Sequence, residues 1–452
     1  MPYVSNTGDD RRRMLKTIGV DSFESLLDTV PEKLRLNRPL DIPAMSEPAL
    51  LADIERLSSR NQQGLTCFAG GGVYDHFIPS ALTALLGRPE FMTAYTPYQA
   101  EVAQGTLQVI YEFQTHICRL TGMEVANASM YDGATAAAEA AIIATAVTRR
   151  KKVVLSATVN PLFRQVVNAY LPVRGIEVVT VPMKDGVTDL NRLVDAVDEQ
   201  TACVLVAQPN FFGHLEEIEP VRDASSKVGS RLVLAVDPIA QAVLKTPAEY
   251  GADIAVGEGQ PLGMPMSFGG PLLGFFAAKK ELIRSLPGRL AARTTDIEGK
   301  TGFVLTLQTR EQHIRREKAT SNICTNQALC ATAAAIYMSL MGRTGLKKVA
   351  LLSAENAQLA ARQILALEGY APFSQAPFVR EFAIRTPRPA IEVVQSMIER
   401  HGVLPGINAG RWYKGLENCL IVAFTELRTP SDIEKLVDGL KELAGSGVLS
   451  GL

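Results

Sequence analysis

Histidine is scarce in this chain: five residues in 452, far apart, give no metal-ligand spacing. The six cysteines (67, 118, 203, 324, 330, 419) contain no CxxC pair, so neither a disulfide framework nor a zinc site is indicated. They read as reduced, mostly buried thiols of a cytoplasmic protein. Neither charge sign dominates. Lys+Arg 46 against Asp+Glu 47 leaves a formal net charge of −1, which argues against nucleic acid or an anionic membrane as main partner. The most conspicuous apolar run, Ala134 to Val147, carries Glu139 and is too short to span a bilayer. The start, MPYVSNTGDDRRRMLK, has no apolar stretch of the kind a secretory signal needs.

What is present suggests several compact units, because 452 residues exceed one ordinary core and 47% of them are apolar. Residues 1–60 read as an N-terminal helical arm. Asp21-Ser22 is placed to cap a helix from Phe23 to Val30, Pro39 and Pro43 mark a connector, and a second helix spans roughly Pro48 to Ser59. From Ala126 onward, short runs of Val, Leu and Ile alternate with helical stretches. Strands are expected near Val153 to Ser156, Glu177 to Val181, Cys203 to Ala207, Leu232 to Val236, Asp253 to Val256 and Leu273 to Ala277. Continuous apolar runs mean burial on both faces, hence a mainly parallel sheet in a large α/β domain over 61–343. A small C-terminal α+β domain over 344–452 follows from the change of pattern there, and the tail GSGVLSGL is expected to fray.

The segment GADIAVGEGQPLGMPMSFGGP, residues 251–271, runs from an apolar strand into a glycine-rich turn. Enzymes that use pyridoxal phosphate hold an imine-forming lysine in this kind of loop, where desolvation lowers the amine's pKa. The candidate positions here are Gln260 and Pro261, and neither can form an imine. Ser129, Gly133, Ala134 and Thr135 open the alanine-rich helix, where free N–H groups and the helix dipole suit a phosphate. An ordinary cap explains the same residues. Asp237, ending an apolar strand, is placed either to pair with a pyridinium nitrogen or to make a turn before Pro238. The stretch from Ser156 to Pro161 offers no ring to stack on a cofactor, so these positions read as a vestigial pocket.

Three loops are candidates for contacts across an interface. One holds Tyr95, Thr96 and Tyr98. The second holds Thr320, Ser321 and Asn322, and the third Gly71 with its glycine neighbours. Buried rings or a flexible turn explain the first and third equally well. The charged run Gln308 to Lys318 reads as a solvated helix face, and Cys324 as a packing residue.

TAYTPYQAEVAQGTLQ, EVANASMYDGATAAAEA, the 251–271 segment and LQTREQHIRREKATSNICT together resemble the P-protein family of the glycine cleavage system, glycine dehydrogenase (decarboxylating). YVSNTGDDRRRMLKTIGV and LIVAFTELRTPSDIEKLV resemble it as well, so the likeness spans the chain. Its order fits the N-terminal half of the family, subunit 1 (alpha) of the split form. The resemblance implies a PLP-dependent transferase fold, aminotransferase-like and of fold type I. It implies no cofactor bound covalently by this chain and pyridoxal phosphate on a partner, subunit 2 (beta). The family reaction decarboxylates glycine and passes the aminomethyl group to the lipoyl arm of H-protein, and an α2β2 heterotetramer is implied.

Two other readings stay open on sequence. A stand-alone PLP-dependent lyase would need Lys245 or Lys279 as its imine former, and neither lies in the expected loop. A non-catalytic regulatory paralogue binding small anions would leave glycine chemistry independent of this chain.

Overall fold

The computed structural model describes residues 5–36, 38–319, 321, 323 and 326–445, and the chain divides into a unit ending at Gln63 and a second beginning at Gly64. In the first unit Thr7 and Asp10 cap the helix Gly8–Ile18 reciprocally, and Glu47–Ser58 forms another helix. The helix expected over Phe23 to Val30 is a short 3₁₀ turn, Glu24–Leu27, with the Ser22 hydroxyl accepting from the Ser25 N–H at 3.2 Å. None of the unit's described residues is buried, so no apolar face stabilises a longer helix there.

The second unit is built on seven strands: Val125–Ala126 (β1), Lys152–Ser156 (β2), Glu177–Val181 (β3), Thr201–Gln208 (β4), Arg231–Val236 (β5), Ile254–Glu258 (β6) and Gly274–Ala278 (β7). Their order is β1-β7-β6-β5-β4-β2-β3. The pairs from β3 to β6 are parallel, and β7 runs antiparallel to both its neighbours. The pleat sends Val154, Val204, Leu234 and Phe275 into one core and Leu155, Leu205, Val233 and Phe276 into the other. Burial on both faces is why these strands read as continuous apolar runs. Strand order reverses between β2 and β4, and ligand clefts in open α/β sheets lie at the carboxyl ends of strands beside such a point.

The helix Gly133–Thr148 lies against this sheet, and its alanines allow a close approach. A Cβ on Gly133 would sit 2.9 Å from the Glu258 backbone nitrogen, and one on Gly274 would sit 2.2 Å from the Asp132 carbonyl oxygen. The helix N-terminus is therefore pressed onto the ends of β6 and β7.

Beyond β7 comes an antiparallel hairpin, Leu290–Thr295 with Thr301–Thr306, which the apolar pattern did not reveal. The charged run 308–318 is not one helix but three short turns, because Glu311 is extended (φ −81°, ψ 157°) and Arg316 takes a positive φ of 54°. The long helix Ala328–Ile364, bent at Gly342, leads to an antiparallel sheet of Ala371–Pro372, Glu381–Arg385, Cys419–Ala423 and Ile407–Asn408. The helices Ala390–His401 and Pro430–Gly445 pack on that sheet through Val393, Met397, Ile433 and Leu436. Thr66–Cys67 pairs in parallel with Val403–Leu404 and so directs residues 70–74 toward the carboxyl ends of the central strands. Among the described residues no helix is long and apolar enough to cross a membrane.

Candidate functional site

A cavity lies at the strand ends, lined by Gly71, Tyr74, Asn160, Asp237, Pro261 and Arg380 among others. It leaves about 70 Å³ for water-sized groups. A ligand site for a small organic molecule typically offers about 300–1,000 Å³, and one water needs about 10–15 Å³. Room for a few waters is what remains, because the polar groups around the cavity have closed on one another.

Gln260, at the position where an imine-forming amine would stand, is fully buried. Its Oε1 accepts from the Tyr74 N–H at 2.9 Å, and its Nε2 donates to the carbonyls of Tyr74 at 3.0 Å and Met264 at 2.7 Å. The side chain is a backbone clamp joining the 70–74 segment to the loop after β6.

Two residues earlier, Glu258 turns both oxygens to backbone donors. Oε2 accepts from the Gly133 N–H at 3.0 Å, while Oε1 accepts from the N–H groups of Gln260 at 3.0 Å and Leu273 at 2.8 Å. The N–H of Thr135 is taken by the Asp132 carboxylate at 2.7 Å, in a capping box completed by the Thr135 hydroxyl.

Asp237 lies at the end of β5 as expected, but its partner is a protein side chain. The fully buried guanidinium of Arg380 donates through Nε to Asp237 Oδ2 at 2.6 Å and stacks 3.5 Å above the Tyr74 ring. Its Nη1 lies 2.5 Å from His76 Nε2. Arginine has no acceptor, so Nε2 is the unprotonated nitrogen of a neutral imidazole, and Nδ1–H donates to Glu426 at 2.6 Å. Burial, the largest cause, lowers the His76 pKa, and the Arg380 charge acts in the same direction. Glu381 accepts from the Gly71 N–H at 2.8 Å and the Tyr74 hydroxyl at 2.9 Å.

Three carboxyl groups, Glu139, Glu258 and Glu381, are pushed up to about 7 by burial. A folded-state pKa above the unfolded one contributes stability present in full below about pH 4.5 and lost as pH rises through 7. His214 acts oppositely: burial lowers it to about 4, so its contribution is present above about 6.5 and lost in acid. The unfolding free energy from denaturant titration is expected to fall by at least about 1 kcal/mol from pH 6.5 to pH 8. A rise across that interval would contradict the assignment of these groups.

The remaining candidates separate. Gly71 is in the cavity wall, its carbonyl accepting from Asn160 Nδ2 at 2.7 Å. Tyr95 is 77% exposed, Thr96 is half-buried, and Tyr98 stands beside Arg289, whose guanidinium is 5.5 Å above its ring. Ser321 is buried, accepting from the Ile323 N–H at 3.1 Å. Ser129 is buried too, its hydroxyl accepting from Asn326 Nδ2 at 2.5 Å. Ala134 is buried in the first turn of its helix. Thr320, Asn322, Cys324 and the tail after Gly445 lie outside the described residues. Where the stretch 156–161 supplies no ring, Phe163 and Phe211 supply aromatic lining instead. Thr158, inside that stretch, turns its hydroxyl to Glu216 at 2.7 Å.

A family model for the glycine cleavage system P-protein matches residues 1–440. The chain belongs to that family. It is 50% identical over 443 residues to the probable glycine dehydrogenase (decarboxylating) subunit 1 of Carboxydothermus hydrogenoformans, a match covering 97% of this chain and 99% of the relative. The corresponding protein of Chlorobium limicola is 48% identical, covering 98% and 100%. A solved glycine decarboxylase (P-protein) of the glycine cleavage system, in inhibitor-bound form, is 43% identical with a TM-score of 0.88 over 98% of this chain and 100% of that one. The sphingosine-1-phosphate lyase of Burkholderia pseudomallei, 14% identical with a TM-score of 0.65, shares the fold alone. The α/β architecture is the aminotransferase-like fold type I.

Pyridoxal phosphate does not fit this member's cavity. No amine stands at 260 or 261, Asp237 is paired with Arg380, and Glu258 holds the Gly133 N–H.

Proposed function

We propose that this chain is the subunit of glycine dehydrogenase (decarboxylating) that carries no pyridoxal phosphate, working beside a second subunit that does. In the glycine cleavage system the pair decarboxylates glycine and delivers the aminomethyl group to the lipoyl arm of H-protein, with two copies of each subunit in the assembly. Gln260 carries this reading: every polar atom of its side chain is bonded to backbone, so the residue at the amine position is a structural clamp. Other groups at the strand ends are also occupied within the chain, Asp237 by Arg380 and Glu258 by backbone N–H groups.

What the chain contributes is scaffold plus side chains presented to the partner's site, and the Tyr95–Tyr98 loop is the best placed. A tyrosine 77% exposed leaves its hydroxyl free to be buried by another protein. The segment Thr320, Ser321 and Asn322 is proposed to meet the partner as well, with the buried Ser321 supporting its backbone by accepting from the Ile323 N–H.

Glycine-dependent carbon dioxide exchange tests the proposal, measured for this chain alone, for a candidate second subunit with lipoylated H-protein, and for the mixture. Exchange that requires the mixture, with no imine absorbance from this chain alone, is the expected result. Turnover by this chain alone would overturn it. Within the active mixture, Tyr95→Phe is expected to lower exchange about 100-fold or more, the loss typical of removing one hydrogen-bond donor to a reacting group. Unchanged exchange would take that hydroxyl out of the chemistry.

A further inference from the structure

The N–H of Gly133, at the positive end of the buried helix Gly133–Thr148, converges with the N–H groups of Gln260 and Leu273 on one point, an arrangement that suits an anion. Glu258 fills it from within: its carboxylate takes the Gly133 N–H and ties the same point to Gln260 and Leu273. A methyl group on Gly133 would overlap the Glu258 backbone nitrogen and the Phe163 ring, so the helix start is held hard against the strand end that carries this carboxylate. Glu258 is also 7% exposed, so the carboxylate faces protein, not solvent.

We infer that Glu258 is a built-in anion standing where a phosphate group would bind, and that it excludes phosphate-bearing ligands from this chain independently of the missing lysine. This rests on the reading of the chain as the cofactor-free subunit and gives that state a second cause. The loss of an amine at 260 removes the covalent bond to a cofactor. The carboxylate at 258 removes the non-covalent hold on its phosphate, by occupying the donors and by repelling a second negative charge. Restoring lysine alone therefore leaves the site closed. Burial raises the Glu258 carboxyl to about 7, so the repulsion is complete only at mildly alkaline pH.

Inorganic phosphate is the probe, titrated by calorimetry into the full chain at pH 8. The parent chain is expected to show no saturable uptake. Glu258→Ala, which frees the Gly133, Gln260 and Leu273 donors, is expected to bind phosphate at least about tenfold more tightly than the parent. Hydrogen exchange at the first turn of the helix Gly133–Thr148 should slow on phosphate addition in the variant. Glu258→Ser serves the same comparison if the alanine variant does not fold, since a hydroxyl can both satisfy a backbone donor and donate to phosphate. Saturable binding by the parent chain with protection of that turn would overturn the inference, and this measurement needs no variant. A folded alanine or serine variant that gains no binding would also overturn it. None of these titrations involves the partner, so failed exchange on mixing would sink the subunit assignment while leaving the seat's occupancy to be decided by phosphate.

Discussion

Replacing Arg380 by methionine is expected to lower the unfolding free energy by about 3–5 kcal/mol, the range for removing one member of a buried ion pair. The guanidinium is fully buried, holds Asp237 at 2.6 Å, meets His76 at 2.5 Å and covers the Tyr74 ring. Its removal leaves a carboxylate that is largely shielded from water with no counter-charge, and a histidine nitrogen with no donor. The penalty comes mainly from that orphaned charge, not from a lost net attraction, because desolvation offsets most of the pair's Coulomb energy. The double variant Arg380→Met with Asp237→Leu is accordingly expected to recover most of the loss. Urea unfolding of the four species in a double-mutant cycle reads both claims. A single-variant loss under about 1 kcal/mol, or a double variant no better than the single, would remove the pair from its central place in the cavity.

Gly213→Ala is expected to destabilise the chain by about 2–5 kcal/mol, summing left-handed backbone strain with overpacking. Gly213 has φ +83°, and a Cβ there would lie 2.0 Å from the backbone oxygen of Glu381. This contact is where the loop after β4 presses on the strand Glu381–Arg385, and it sets the position of both Arg380 and Glu381. The Leu215 N–H donates to the Pro377 carbonyl at 2.8 Å beside it, so the loop cannot retreat without breaking a ladder contact. A denaturation midpoint equal to the parent's would show that the two segments are free to separate.

The central strands were legible because burial on both faces writes itself locally as continuous apolar runs, as in Val153 to Ser156 or Leu232 to Val236. The capping of the alanine-rich helix was legible for the same local reason, since Asp132 and Thr135 satisfy its first turn themselves. The hairpin Leu290–Thr295 with Thr301–Thr306 was not, because much of it is exposed and its strands carry arginine and threonine among their apolar residues. The run 308–318 is mostly exposed, as expected of a solvated face, but the single helix expected there is absent. Its charges resemble a solvated helix, yet Glu311 is buried within it, 3.8 Å from Arg289, and the chain turns at Leu307 and Arg316 to put it there.

In the site, Glu258 carried a faint signal, an acid closing the apolar strand GADIAVGE, and its meaning depended on what it faced. Arg380 carried none, since a basic residue before an apolar strand is ordinary. By itself the sequence determined the alternating α/β architecture, the family and the absence of an amine at 260 and 261. Those are properties of local pattern and of residue identity, and they need no neighbours. Only the tertiary structure decided that the pocket is closed from within, because each closing bond joins distant residues: Gly133 to Glu258, Tyr74 to Gln260, Asp237 to Arg380. A hydrogen-bond donor or a charge states what a residue can offer, and the fold alone determines which group accepts it.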